Sequence, residues 1–107
     1  MAQSSPRTNV TVALIDATIL ALAGLIQPTS ARDVYSFAKG TFLRKVLNKT
    51  TFERHFERLA KEAFLWQTGT GEYVVTPKGD LLARRSLQRK ERDKLRLLIL
   101  NERRYKT

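Results

Sequence analysis

A chain of 107 residues has room for one domain with one modest core. Its 20 lysines and arginines against 10 acidic residues give a formal charge of +10, which points to an anionic partner, and 42% hydrophobic content excludes compositional disorder. The absence of cysteine excludes disulfides and thiolate metal sites and permits a reducing cytoplasm, the expected location; no apolar run reaches the roughly 18 residues of a membrane span.

Residues 1–8 are polar and read as a flexible N-terminus. Asn9 or Thr11 can cap a helix running to about Ile26. Gln27-Pro28 ends it, because the residue before proline disfavours helical geometry. Val12, Ile15, Ile19, Leu22 and Ile26 form one stripe, with Leu14, Leu20 and Leu25 off it, so this helix wants cover on more than one side. Asp16 in its middle favours a buried helix over a signal-peptide core. A second helix starts at Ser30, with Asp33 as its capping-box-like partner; Val34, Phe37 and Ala38 face inward and Gly40 ends it. Phe42, Leu43, Val46 and Leu47 make a short apolar segment.

The third helix begins with a capping box of Thr50 and Glu53, Thr51 being the alternative cap. Phe52, Phe56, Leu59, Ala60 and Ala63 fall on one face, and Thr51, Arg54, His55, Arg58 and Lys61 on the other. Residues 64–68 and 72–76 read as strands joined by Gly69-Thr70-Gly71. Trp66 and the phenylalanines at 52, 56 and 64 sit at core spacing and read as packing rather than as stacking partners for bases. Thr76-Pro77 opens a helical region over 77–105, broken or bent near Ser86.

This order predicts a mostly helical α+β fold, a winged helix-turn-helix with three helices, a short two-stranded wing and a long C-terminal helix. The motifs point the same way. The stretch from Thr50 to Leu65 resembles a recognition helix running into the first wing strand. Tyr73-Val74-Val75-Thr76-Pro77-Lys78-Gly79-Asp80-Leu81-Leu82 is similar to the Y-x-L-T-x-K-G-x-x-L close of the wing in PadR-like and MarR-like transcriptional regulators. The resemblance spans roughly residues 11–85 and departs in three places: Lys49-Thr50-Thr51-Phe52 stands where PadR-like proteins usually carry Gly-x-Leu-Tyr-Pro, Ala63 replaces the glycine that commonly ends the third helix, and the wing is short with no Lys or Arg at its tip. It implies a winged-helix domain over 9–85, a basic C-terminal helix over 86–107 that dimerises, and a DNA-reading helix starting near Thr50.

The charges can be set against that implication. Residues 39–61 hold seven basic side chains against Glu53 and Glu57, whereas residues 1–38 balance at zero and 62–83 are net acidic. Duplex binding asks for positive charge on and beside the reading helix, because Lys and Arg at phosphates displace counterions. By position Thr51, Arg54, His55 and Arg58 are assigned to base edges, Arg54 as the best candidate for a bidentate contact to guanine. Lys45, Lys49, Thr50, Lys61 and Lys78 are assigned to phosphates. His55 is the only histidine, so no metal site and no cofactor is expected.

Residues 84–107 carry ten basic side chains against three acidic ones, together with the apolar cluster Leu95 to Leu100. Two helices with excess apolar surface suggest mutual cover across a two-fold axis, through Leu14, Leu20, Leu95, Leu98 and Ile99; the alternative is that the last helix folds back on its own domain. The expected function is a sequence-specific double-stranded DNA-binding regulator, most simply a repressor acting as a homodimer. The alternatives are a nonspecific DNA- or RNA-binding protein driven by the basic tail, and a protein–protein adaptor. No thiol nucleophile, phosphate loop or dinucleotide fingerprint is present, so no enzyme activity is expected. No ligand pocket is legible, which leaves a small-molecule effector open.

Overall fold

The computed structural model describes residues 11–106, with side chains through Glu102. The expected flexible segment 1–8 and the candidate cap Asn9 lie outside the described residues. Six helices and one hairpin follow in the order α1 (Val12–Ile26), α2 (Ala31–Ala38), α3 (Leu43–Val46), α4 (Lys49–Lys61), β1 (Leu65–Gly69), β2 (Glu72–Val75), α5 (Pro77–Ser86) and α6 (Arg89–Lys106). The fold is mostly helical with one small antiparallel sheet, an α+β arrangement. No described helix is long and apolar enough to cross a membrane.

Capping groups set the helix starts. Thr11 Oγ1 accepts from the Leu14 N–H at 3.1 Å, and Ser30 Oγ accepts from the Asp33 N–H at 3.1 Å. Thr76 Oγ1 accepts from the Gly79 N–H and donates to the Ala63 carbonyl, tying α5 to the end of α4. The cap of α4 differs from the expected Thr50. Asn48 Oδ1 accepts from the Thr51 N–H at 2.8 Å, so the helix starts at Lys49 and Thr50 lies inside its first turn. Asn is at least as good a cap as Thr, and starting two residues earlier adds a half-turn of helix.

The end of α4 is a Schellman motif. The Phe64 N–H reaches the Leu59 carbonyl at 2.9 Å and the Ala63 N–H the Ala60 carbonyl at 3.2 Å. Ala63 holds φ 68°, the left-handed region that favours glycine, so it stands beyond the helix and exposed rather than on its buried face.

Helix α1 runs through the middle of the molecule and touches α2, α4, α5, α6 and β2. That environment accounts for its apolar residues on several sides: Ile15, Ile19, Leu20, Leu22 and Ala23 are all buried. Phe52 and Phe56 of α4 enter the same core, in a chain of ring contacts from Tyr35 through Phe52 and Phe56 to Tyr73. The hairpin pairs Leu65 with Val75 and Trp66 with Val74, and the register shifts between Gln67 and Gly69. The α1–α2 connector covers the outer edge of β2: Thr29 and Tyr73 exchange backbone bonds at 2.9 and 2.7 Å, and Gln27 Oε1 accepts from the Val75 N–H.

One expectation needs correction here, and the last helix takes one of its two expected arrangements. Trp66 is not core; it is 65% exposed on the outer face of β1, because alternation along the strand sends Leu65 inward and its neighbour out. The terminal helix packs on its own chain, the fold-back alternative, and leaves Leu97 and Leu100 exposed. Leu87 takes an extended conformation (φ −117°, ψ 132°) after α5, and α6 turns back onto α1. Leu20, Leu95 and Ile99 are buried by that packing within one chain, and Leu14 and Leu98 are partly buried. Gly40 permits the closest approach, since a Cβ there would meet Leu98 Cδ1 at 2.8 Å.

Candidate nucleic-acid interface

Helix α4 is anchored by its aromatic side and leaves a polar face outward. Lys49, Thr50, Glu53, Arg54, Glu57 and Lys61 are exposed on it, and Lys45 is exposed on α3. Arg54 makes no hydrogen bond or ion pair to a described residue. It lines a shallow groove along the helix with Glu57, Arg58 and Lys61. Thr51 is half-buried, and its N–H belongs to the Asn48 cap. The first-turn N–H groups of Lys49 and Thr50 have no acceptor within the helix, as at any helix start.

Beside the N-terminal half of α4 lies a notch of about 330 Å³. Arg32, Tyr35 and Ser36 of α2 form one wall, Lys49 and Glu53 of α4 the other, with Lys39 at the end. Lys39 Nζ stands 5.4 Å from the Tyr35 ring centroid. Three cations therefore converge on a concavity between two helices, against one carboxylate. Of these, Arg32 and Lys39 were not among the expected site residues. Helix α2 reads as a scaffold from its inward apolar positions, and nothing in its local sequence places its outer side next to Lys49.

His55 and Arg58 do not join the outward set. Both turn toward Asp16 of α1, which is 5% exposed. Arg58 Nη2 donates to both carboxylate oxygens, at 2.7 and 2.8 Å, and Nη1 donates to Glu62 at 3.2 Å. His55 Nδ1 lies 3.2 Å from Asp16 Oδ1 and 3.3 Å from Arg58 Nη2. Since Nη2 already serves the carboxylate, the tautomer that fits has Nδ1–H donating to Asp16. The Asp16 hydrogen bonds, with the charges of Asp16 and Glu62, raise the Arg58 pKa above its ordinary value against the opposing effect of burial. Releasing Arg58 into a groove would strand a buried carboxylate, which costs several kcal/mol or about 2–3 when partly relieved by water. The expectation that these two side chains read bases is therefore replaced by another role: they clamp α4 to α1. Asp16 carried the signal in the sequence, as the one charge inside the apolar first helix.

Lys78 is likewise engaged. Its Nζ donates to the Glu62 carbonyl at 2.9 Å and stands 4.5 Å over the Phe64 ring, closing the C-terminal end of α4. Lys78 is itself exposed, as are Lys45, Lys49, Thr50 and Lys61, but it stands at the opposite end of the helix from Lys45 and Lys49.

No protein-family model, no curated protein and no solved structure matches the chain, so its functional reading stands on its own residues.

Proposed function

We propose that this chain is a winged-helix protein that binds double-stranded DNA with sequence preference and acts as a transcriptional repressor by occlusion. The observation that carries the reading is the outer face of α4: an unpaired, exposed Arg54 and Lys61 beside a notch where Arg32, Lys39 and Lys49 converge. In this reading α4 enters the major groove, Arg54 meets a base edge, and Lys45, Lys49 and the notch cations take phosphates on either side. The order of helices and hairpin, with Thr29 bridged to Tyr73 at the edge of β2, supports the winged-helix reading.

A homodimer on a pseudo-palindrome belongs to the proposal, but its contact moves. The expected leucines are largely used within one chain, whereas Leu97 and Leu100 are 59% and 51% exposed on the outer ridge of α6. Replacing both by Glu yields a monomer by sedimentation if that ridge joins two copies; an unchanged mass refutes the placement. The reading as a whole is tested by selecting bound duplexes from a random library at about 0.15 M salt, where charge alone binds weakly. Enrichment of one motif with two half-sites about a helical turn apart supports it. Retention of all sequences alike, or of RNA equally well, favours nonspecific binding through exposed basic residues such as Arg89, Lys90 and Lys94 instead.

A further inference from the structure

Helices α5 and α6 carry a second set of cations that the fold leaves without counter-charge. Asp80 accepts from Arg84 at 2.8 Å, Asp93 accepts from Arg96 at 3.0 Å, and Glu91 accepts from the Gln88 N–H at 2.9 Å. These are the acidic residues of α5 and of the first half of α6, and each is engaged. Arg85, Arg89, Lys90 and Lys94 are left over. All four are exposed, and none makes a hydrogen bond or ion pair to a described residue. Arg89 and Lys90 also stand in the first turn of α6, where the helix dipole disfavours positive charge. Their placement works against the helix, and an external anion reverses that sign.

The position of this set relative to α4 decides which anion it meets. Asp16 of α1 meets α4, whereas Leu14, Thr18 and Leu25 line clefts shared with α6, about 160–180° round α1 from Asp16 at 3.6 residues per turn. Helices α4 and α6 therefore pack on opposite sides of α1, each with its free cations on the outer surface. A duplex lying on α4 reaches the second set only by turning back on itself, which its stiffness over about 150 base pairs opposes. A separate duplex meets no such obstacle. The shortest extent of the molecule, 27 Å, is more than twice the Debye length of about 10 Å at 0.1 M salt, so duplexes held on opposite sides barely repel each other. We propose that Arg85, Arg89, Lys90 and Lys94 grip the phosphates of a second DNA duplex, so that the protein bridges two duplex segments. This second face presupposes that α4 holds the first duplex, as proposed above.

The test loads the full chain onto an immobilised duplex of about 30 base pairs, too short and stiff to fold round the protein. After washing, a labelled second duplex of the same length and unrelated sequence is offered at about 0.1 M salt. The parent protein is expected to capture it, with log affinity falling against log salt at a slope of about 3–4, the value for four phosphate contacts. Changing Arg85, Arg89, Lys90 and Lys94 together to Gln is expected to lower capture about tenfold or more while first-duplex affinity changes less than about threefold. The thermal midpoint of that variant should be kept or raised, since two cations leave a helix first turn. Arg54→Ala should show the reverse pattern, with less protein on the first duplex and unchanged capture per protein bound. A parent protein that holds the first duplex and captures no second one overturns the bridge and leaves the α4 reading intact. Failure to bind any duplex overturns both. Capture by the fourfold variant equal to the parent's also overturns the bridge, placing the two duplexes on the α4 helices of paired copies. Preference of the parent for vesicles of anionic lipid over the second duplex overturns it in favour of a membrane surface.

Discussion

The clamp between Asp16 and Arg58 invites a double-substitution cycle. Arg58→Met keeps side-chain bulk but leaves the Asp16 carboxylate, 5% exposed, with His55 as its one other side-chain partner among the described residues. Removing one member of a buried ion pair costs about 3–5 kcal/mol. Arg58 retains 36% side-chain exposure and His55 stays in place, so the expected loss is smaller, about 2–3 kcal/mol. Asp16→Leu leaves Arg58 with Glu62 and solvent, for about 1–2 kcal/mol. The double variant buries an apolar pair where the ions stood and is expected within about 1 kcal/mol of the parent. Urea unfolding of the four proteins should then give a coupling energy of about 2–5 kcal/mol, and Arg58→Met should melt about 10–20 °C below the parent. Single effects that add to within about 0.5 kcal/mol would refute the clamp. An Arg58→Met protein as stable as the parent but with altered base preference would return Arg58 to the groove.

Three further substitutions probe the framework around α4. Ala63→Gly should stabilise the protein by about 0.5–1 kcal/mol in urea, since relief of the left-handed conformation exceeds the added unfolded-state freedom; a loss of stability would contradict the Schellman geometry. Gly79→Ala should cost about 1–3 kcal/mol, because its Cβ would collide with the Phe64 carbonyl, a backbone atom with little room to yield; a neutral effect on the thermal midpoint would show that α5 and the hairpin are less closely apposed. Trp66→Ala should change stability by less than about 0.5 kcal/mol, as an exposed residue does, whereas a core role would show as a loss of several kcal/mol by the same measurement.

What the sequence made legible follows from the range of the forces involved. Local signals held well: the Ser30 and Thr76 caps, the proline that stops α1, and the aromatic stripe of α4 depend on residues within a few positions of one another. The Asn48 start was passed over because Thr50 and Glu53 present a better-known pattern on the same helix, and two competing caps differ by only a few tenths of a kcal/mol. Trp66 was misplaced because strand alternation depends on register, and a shift by one residue exchanges the two faces. The clamp and the fold-back of α6 were hidden for a different reason. Asp16 meets Arg58 across 42 positions, and the reversal at Leu87 decides whether α6 covers its own α1 or a partner's. Apolar periodicity shows that a face will be covered without saying by what. The notch cations share that character, since Arg32 and Lys49 belong to helices whose packing brings them together.

Sequence preference by α4 is tested most directly with Arg54→Ala and Lys45→Ala, measured on one selected duplex and on duplexes mismatched at single positions. Arg54→Ala should weaken the selected duplex by about 1–3 kcal/mol and flatten discrimination at one base pair. Lys45→Ala should weaken every duplex alike and lower the salt dependence by about one counterion. Equal losses on all duplexes from both substitutions, with discrimination intact, would mean that the outer face of α4 meets only phosphates.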